Sequence, residues 1–323
     1  MLWIVAVVLS LLGTMSMAAA QPWPSKPVKI VVPYPAGGGT DIVARLLAER
    51  LSDSLGQRVI VENKPGAGGM IGADNVAKSA PDGYTLLVSS PAEIVINGYI
   101  FPRMTYDAQK DFAPISLLAI TPLIIAAHPS ANIASLQDLL AQLAAKPGKL
   151  NYSTPGVGSA HHLAGEYLKK MAAVDMLHIA YKGAAPAVQD AVSGQVMLTI
   201  SGLPTVMAHI KAGALKPVAV TSAKRAPAFP GVVALAELGD KYRDLDINNW
   251  FGFFAPAGVA KDIIEKLRAA TVKALSAPLM QERLAQQGAE AVGNSPEEFR
   301  AFINAEAAKY ARISAVTGIK ADP

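Results

Sequence analysis

Short β-branched runs alternate with helical patterns over residues 26–90, and this alternation limits the possible folds more than any other feature of the sequence. In the helical stretches, apolar residues recur every three or four positions, and Gly56 ends the first of them. The five segments are, in chain order, VKIVVPY, DIVARLLAERLSDSL, RVIVEN, GMIGADNVAKSA and YTLLVSS. Strands and helices in this order predict a parallel sheet with crossover helices.

Two long apolar segments divide the rest of the chain. The first, DFAPISLLAITPLIIAAHPS, is broken by Pro114 and Pro122, and the second, INNWFGFFAPAGV, covers residues 247–259. A second series of strand and helix patterns lies between them, and two helical patterns follow the second segment. At roughly 150 residues per domain, 323 residues suggest two units. We therefore expect two α/β lobes, residues 24–122 plus 247–323 and residues 123–246, joined by strands that favour a hinge.

The composition is that of a folded protein with few specialised chemistries. Hydrophobic residues make up 51% of the chain and charged residues 17%, which predicts a sizeable core and argues against disorder. The net charge is +4, but no cluster of Lys and Arg is interleaved with aromatic residues, so nucleic acid is not an expected partner. The chain has no cysteine, which excludes disulfides and thiol chemistry.

The first twenty residues resemble a secretory leader. Leu2 to Leu12 are apolar but too short to span a bilayer, and Ala18-Ala19-Ala20 satisfies the small-x-small cleavage pattern. This leader carries no Lys or Arg, so a retained membrane anchor remains the alternative. We expect residues 1–20 to be a cleaved signal peptide and the mature protein to be periplasmic.

Two glycine-rich loops each follow a predicted strand and precede a predicted helix. The first runs from Pro35 to Gly39, with Thr40 and Asp41 expected at the helix N-cap; the second runs from Ser153 to Ser159. In an open α/β sheet, ligands bind at this edge, and a helix N-terminus offers free N–H groups to an anion. Two such loops, one in each lobe, predict a clamp for a carboxylate or a phosphate. The alternative is two tight turns that bind nothing.

The spacing of the glycines disfavours nucleotides. No Gly-Lys-Ser/Thr triplet follows either loop, and the sixth residue counted from Gly37 or from Gly66 is isoleucine instead of the required glycine. Ser159 lies in Gly-Val-Gly-Ser-Ala, which lacks the second glycine of a nucleophile elbow. We expect a binding protein with no catalytic residue, cofactor or metal. An exported hydrolase that uses Ser159 and a histidine remains the alternative.

Several long blocks of the sequence resemble the Bug family, the extracytoplasmic solute receptors of tripartite tricarboxylate transporters. The resemblance covers essentially the whole chain after the leader. The blocks that carry it include PYPAGGGTDIVARLLAERLSDSLGQRVIVENKPGAGGMIGADNVAKSAPDGYTLL, KPGKLNYSTPGVGSAHHLAGEYLKK, HIAYKGAAPAVQDAVSGQV and FFAPAGVAKDIIEKL.

The resemblance implies a periplasmic-binding-protein-like fold, a type II-like flytrap whose lobes close on a small carboxylate. It also implies delivery of the ligand to membrane transporter subunits, or to a sensor domain, by a receptor expected to be a monomer. Backbone N–H groups, hydroxyls and ordered waters would hold the carboxylate. The implied ligand-binding residues are Tyr34, Ala36, Gly37 and Gly38 in one jaw, Thr154, Gly158, Ser159 and Ala160 in the other, Ser89 and Ser90 at the cleft floor, and Ser201.

The chain departs from the family pattern at Ser201-Gly202, where family members often carry Asp-Asn. Because that Asp could pair with an amino group of a ligand, its absence predicts a plain organic acid without a cationic group. His161 and Lys182 are left without a role, either touching the ligand or serving as polar surface. The aromatic run from Trp250 to Phe254 is expected to pack in the core.

Overall fold

The computed structural model describes residues 22–321, except for the side chains of residues 243–245. The predicted signal peptide, residues 1–20, lies outside the described residues. Within residues 22–321, no helix combines the length and the apolar character needed to cross a membrane.

Strands and helices alternate along most of the described chain. The strands are β1 (Val28–Val32), β2 (Val59–Asn63), β3 (Thr85–Ser89), β4 (Phe112–Ala127), β5 (Asn151–Thr154), β6 (Leu177–Ala180), β7 (Leu198–Gly202), β8 (Lys216–Val220), β9 (Asn248–Pro256) and β10 (Glu290–Ala291). The α-helices are α1 (Gly39–Leu55), α2 (Met70–Ala77), α3 (Asn97–Ile100), α4 (Leu136–Ala145), α5 (Ala160–Ala172), α6 (Ala184–Val192), α7 (Leu203–Lys211), α8 (Lys261–Ser276), α9 (Pro278–Gln286) and α10 (Pro296–Thr317). A π-helical turn, Ala92–Ile96, precedes α3.

The sheet confirms the parallel pairing that the strand–helix alternation predicts. Its strand order is β2-β1-β3-β9-β4-β7-β5-β6, with β8 and β10 also paired to β4. β1 is parallel to both β2 and β3, and β5 is parallel to both β6 and β7. The carboxyl ends of β1 and β3 therefore meet at one edge of the first half, and those of β5, β6 and β7 meet at one edge of the second half.

The two long apolar segments form the strands that connect these halves. β4 pairs with β9 as far as Pro122, and from Leu123 onward it pairs with β7 and β8 instead. The register of the β4–β9 pair shifts next to Pro114, because a proline cannot donate to the ladder. The domain boundaries expected from the sequence remain a prediction, and this change of partner falls at the same place in the chain.

The core confirms the prediction for the aromatic run on β9. Trp250, Phe251, Phe253 and Phe254 are all at most 1% exposed. The Trp250 indole N–H donates to the Glu306 carboxylate on α10 at 3.0 Å, so the returning strand is fixed to the last helix.

The C-terminal region differs from the sequence prediction by one helix. Two helices were expected after Val259, whereas the structure has a third, α9, between them. Its sequence, PLMQERLAQ, buries only Met280 and Leu284, so the apolar pattern is too sparse to indicate a helix by itself. Pro278 supplies the start signal, since proline is favoured in the first turn.

Helix α10 begins with a capping box. The Ser295 hydroxyl accepts the Glu298 N–H at 3.1 Å, and the Glu298 carboxylate accepts the Ser295 N–H at 2.8 Å. We expect Ser295→Ala to lower the free energy of unfolding by about 1 kcal/mol, because one helix N–H loses its partner. Urea denaturation checks this. The control is Ser54→Ala at an exposed position inside α1, which should leave stability unchanged or slightly higher; equal effects of the two variants would contradict the prediction.

Candidate functional site

A small cavity lies between the two halves of the molecule, where strands end and helices begin. It is lined by the starts of α1, α5, α6 and α7, and its volume is about 30 Å³. Since a water molecule needs about 10–15 Å³ measured in this way, the cavity has room for about two or three water-sized groups. We call it the inner cavity.

The first glycine loop brings the start of α1 to the inner cavity. Gly38 is the N-cap, in an extended conformation with φ −79° and ψ 164°, and no side chain caps the helix. Gly38, Gly39 and Thr40 all line the cavity. A Cβ on Gly39 would lie 3.1 Å from the Phe251 ring, so the absence of a side chain allows the loop to pack tightly against β9.

Asp41 is not the N-cap expected from the sequence; it is the third residue of α1. Its carboxylate accepts the Gly37 N–H at 3.0 Å, the Arg45 Nε–H at 2.9 Å and an amide hydrogen of Asn63 at 2.9 Å. Burial pushes the pKa of Asp41 upward, but the hydrogen bonds from Arg45, Gly37 and Asn63 outweigh it and the pKa is lowered. The charge is thus compensated by its neighbours, and the Gly37 N–H is not free for a ligand.

The second glycine loop brings the start of α5 to the opposite side. Ser159 is the N-cap: its hydroxyl accepts the His162 N–H at 3.2 Å and donates to the Gly156 carbonyl at 2.8 Å. Ser159 and Ala160 both line the inner cavity. Because the Ser159 hydroxyl is used in capping the helix, the structure gives it no base of the kind that a nucleophilic serine requires.

Two further helices, which the sequence reasoning did not assign to the site, also begin at the inner cavity. α6 has Gly183 as its N-cap and α7 has Gly202, and neither has a side-chain cap. Ala184 of α6 and Pro204 of α7 line the cavity. The strand–helix alternation in the sequence was the signal for these two helix starts. α6 follows β6 and α7 follows β7, and both strands pair in parallel with β5. Four helix N-termini therefore surround one small space.

The loops of the two halves touch each other around this space. A Cβ on Gly37 would lie 3.6 Å from the Ala185 Cβ, and one on Gly183 would lie 2.8 Å from the Pro35 Cδ. Glycine at 183, with φ 129°, allows this approach and the backbone turn that accompanies it. The two halves are thus in contact beside the inner cavity.

The structure brings five of the sequence-predicted residues to the inner cavity and places six elsewhere. The five that line it are Tyr34, Gly38, Ser90, Ser159 and Ala160. Ala36 and Gly37 are exposed at the rim. The other four are buried outside the cavity lining, namely Ser89, Thr154, Gly158 and Ser201. The Thr154 hydroxyl, for example, pairs with His178 Nε2 at 2.6 Å.

A buried carboxyl group, which the sequence reasoning missed, lies behind the floor of the inner cavity. We define this floor as Tyr34 and Ser90. Glu93 is 1% exposed, and its Oε2 accepts the Ser89 hydroxyl at 2.7 Å, the Ser90 N–H at 3.0 Å and the Ser90 hydroxyl at 3.0 Å. Burial raises the pKa of Glu93, and hydrogen bonds from the Tyr34 hydroxyl, the Ser89 hydroxyl and the Ser90 N–H oppose the rise. The only signal in the sequence is one acidic residue inside the apolar run SSPAEIVI.

His161 lines the inner cavity, and the space carries no formal charge. Burial lowers the pKa of His161 to about 3, so the ring is neutral at physiological pH. Its Nδ1 is buried without a hydrogen-bond partner within the described part of the chain. No Asp, Glu, Lys or Arg side chain of residues 22–321 lines this cavity. An anion here would be attracted by the positive ends of the helices instead of by a cationic side chain.

A larger space adjoins the inner cavity. It measures about 280 Å³ and shares Tyr34 and Pro155 with the inner cavity. The Gly66–Gly69 turn and Lys182 also line it, and Lys182 is exposed. Over residues 22–321, no group of three acidic or histidine side chains is placed to hold a metal ion.

This fold, with a small cavity at the meeting point of two α/β halves, defines a two-lobed binding protein of the periplasmic type. The chain belongs to the tripartite tricarboxylate transporter family receptors, whose family model matches residues 43–319. These proteins are periplasmic solute receptors and not enzymes. The family identified from the sequence blocks is thereby confirmed.

Characterised relatives and solved structures resemble the chain over nearly its full length. Protein BugT of Bordetella pertussis is 38% identical, over 99% of this chain and 98% of that protein. Rpa4515 of R. palustris, solved with adipate, is 34% identical with a TM-score of 0.89, over 92% of this chain and 99% of that one. MatC of Rhodopseudomonas palustris, solved with malate, is 30% identical with a TM-score of 0.85, over 90% of this chain and 99% of that one.

Proposed function

We propose that this receptor binds a small organic carboxylate between lobes formed by residues 24–122 plus 247–323 and residues 123–246. One observation carries the proposal: four helix N-termini surround a small cavity whose lining has no charged side chain. Backbone N–H groups at helix starts, together with the helix dipoles, stabilise an anion in such a space. The adipate and malate found in similar structures are acids of this class.

The size of the cavities suggests how the ligand is divided between them. The inner cavity, at about 30 Å³, has room for a carboxylate group but not for a whole diacid. The adjoining space of about 280 Å³ is large enough for the body of the ligand. In this proposal, Tyr34 and Pro155, which line both spaces, contact the ligand where it passes from one to the other.

The ligand is an acid without a cationic group. An ammonium group needs a carboxylate partner when it is removed from water, and no acidic side chain of the described residues lines the inner cavity. Ser201, at the position where relatives often carry Asp, is 1% exposed and does not reach the lining. After export directed by residues 1–20, the loaded receptor delivers the acid to the membrane subunits of a tripartite transporter.

A thermal-shift screen of the purified receptor tests this function. The panel contains mono-, di- and tricarboxylates, aromatic acids, acidic amino acids and nucleotides. A ligand at about 100 times its Kd adds about 2.7 kcal/mol to the unfolding free energy, which raises the melting temperature by several degrees. We expect a shift with at least one plain acid and a smaller one with aspartate or glutamate. A shift with nucleotides alone, or a strong preference for acidic amino acids, would contradict the proposal.

A further inference from the structure

The hydrogen-bonding groups at the floor of the inner cavity indicate which carboxylates the receptor prefers. This inference refines the proposed function and rests on it. Every donor group of Ser90 points away from the ligand space: its N–H and its hydroxyl both donate to Glu93 Oε2, at 3.0 Å each. A serine hydroxyl has one hydrogen, so Ser90 has none left for a ligand. Its oxygen can still accept.

Tyr34 is arranged in the same way. Its hydroxyl lies 3.2 Å from the Ser90 Oγ. Because the Ser90 hydrogen is already given to Glu93, Tyr34 gives its own hydrogen either to the Ser90 Oγ or to the Glu93 carboxyl group, with which it also forms a hydrogen bond. The remaining lone pairs of both oxygens are available on the cavity side, where Tyr34 and Ser90 are lining residues. The floor therefore accepts hydrogen bonds and donates none.

This polarity does not depend on the ionisation of Glu93. Oε2 already receives three hydrogens, whereas Oε1 is buried without a partner in the described structure. A proton on this carboxyl group would therefore sit on Oε1, and the serine hydroxyl and N–H groups would still donate to Oε2. Burial also raises the pKa of Tyr34 well above its ordinary value, so the phenol keeps its hydrogen.

The surrounding backbone holds Glu93 in this position. Glu93 belongs to the π-helical turn Ala92–Ile96, a feature often found at functional sites. The Tyr106 hydroxyl donates to the Glu93 carbonyl at 2.9 Å. A Cβ on Gly69 would overlap the Glu93 carboxyl group, so the glycine leaves the space that this side chain occupies.

The two sides of the cavity are therefore complementary to different groups of one ligand. The helix starts offer N–H donors, which suit a carboxylate, and the floor offers only acceptors, which suit a hydroxyl. We propose that Glu93 is a positioning residue that makes the receptor selective for hydroxycarboxylates, with the ligand hydroxyl donating its one hydrogen to the Ser90 or the Tyr34 oxygen. An acid without the hydroxyl leaves these buried acceptors unpaired, and a second carboxylate placed there meets only lone pairs.

Calorimetry with matched acids tests the proposal. The probes are pairs that differ by one hydroxyl: lactate and propionate, malate and succinate, 2-hydroxyglutarate and glutarate, each hydroxy acid in both enantiomers. For at least one pair, we expect the hydroxy acid to bind the wild-type receptor at least tenfold more tightly. Ser90→Ala and Tyr34→Phe should each reduce this ratio several-fold, because each removes an acceptor.

Ser89→Ala is the matched control. Ser89 also donates to Glu93 but does not line the cavity, so its loss should leave the hydroxy-to-deoxy ratio unchanged. Glu93→Leu should lower the ratio, because it removes the acceptor and frees the serine hydrogen, whereas Glu93→Gln should keep it, since the amide oxygen can take the place of Oε2. If either Glu93 variant does not fold, the serine and tyrosine variants still decide the question.

The possible failures can be told apart. If wild-type receptor binds the deoxy acids as tightly as the hydroxy acids, the acceptor floor is wrong while the carboxylate function stands. The same holds if Ser89→Ala changes the ratio as much as Ser90→Ala does. If no acid of any pair binds, and the wider panel also gives no shift with carboxylates, the proposed function itself fails and this inference fails with it.

Discussion

Gly38→Val is expected to weaken binding of the best acid of the screen by at least 100-fold, which corresponds to about 2.7 kcal/mol. Gly38 lines the inner cavity, and a Cβ there would lie 3.9 Å from the Ala184 Cβ on the opposite side. The two methyl groups of valine extend further than this Cβ. They would occupy a space of only about 30 Å³ or keep the lobes from closing. Isothermal titration calorimetry measures the loss.

The same substitution should leave the fold intact. With φ −79° and ψ 164°, Gly38 is in the extended region that valine also adopts, and a Cβ would meet no atom closer than the Pro35 carbonyl oxygen at 3.8 Å. Gly231→Val, at an exposed loop position with nothing within 4 Å, is the matched control and should bind like the wild type. Binding by Gly38→Val within threefold of the wild type would show that the ligand lies elsewhere.

The sequence predicts the fold of this protein well because local patterns and topology agree. The β-branched runs around Val28–Val32 and Thr85–Ser89 are short and bounded by glycine or proline, and helical spacing separates them. Only a parallel sheet with crossover helices accommodates that order. The long strand β4 is also visible in the sequence, since an apolar run of this length that is broken by prolines does not fit a helix.

The general place of the site is predictable for the same reason, but the role of each residue within it is not. Within each half, parallel strands end at a common edge, so the loop before α1 and the loop before α5 each lie at such an edge. Three antiparallel pairings separate β1 from β5, so the strand pattern alone does not bring the two loops together. The N–H of Gly37 looks free in the sequence, and only the structure shows that Asp41 accepts it. Which hydrogen-bond donors are already used depends on side-chain positions in three dimensions, which sequence spacing does not fix.

Glu93 shows this limit most clearly. In the sequence it is one acidic residue among apolar ones, and the family resemblance implies that Ser89 and Ser90 are the polar groups that a ligand would meet. In the structure, the carboxyl group takes up the donors of both serines, which changes what the floor of the cavity can recognise. The site residues implied by the family resemblance remain a prediction, and the chemistry of two of them, Ser89 and Ser90, depends on Glu93 behind them.

Three buried, neutral histidines of the second half predict how the stability of the receptor depends on pH. Burial lowers the pKa of His161 to about 3 and is the main reason that the pKa of His162 is about 4 and that of His178 about 3. The rings of His162 and His178 stack with their centroids 3.8 Å apart, so a charge on either would be close to the other. All three rings therefore remain neutral in the folded receptor down to well below pH 6.

Acidification from pH 7 to pH 5 should destabilise the receptor through these residues. In the unfolded chain each histidine takes up a proton below about pH 6.5, whereas in the folded protein His161 does so only near pH 3. The stabilisation is complete above pH 6.5 and is lost as the pH falls toward 3; at pH 5 His161 alone accounts for about 2 kcal/mol. In urea denaturation at both pH values, His161→Gln should lose about 2 kcal/mol less than the wild type on acidification. Met171→Gln on the same helix removes no titrating group and should show the wild-type loss; an equal loss in both variants would contradict the assignment.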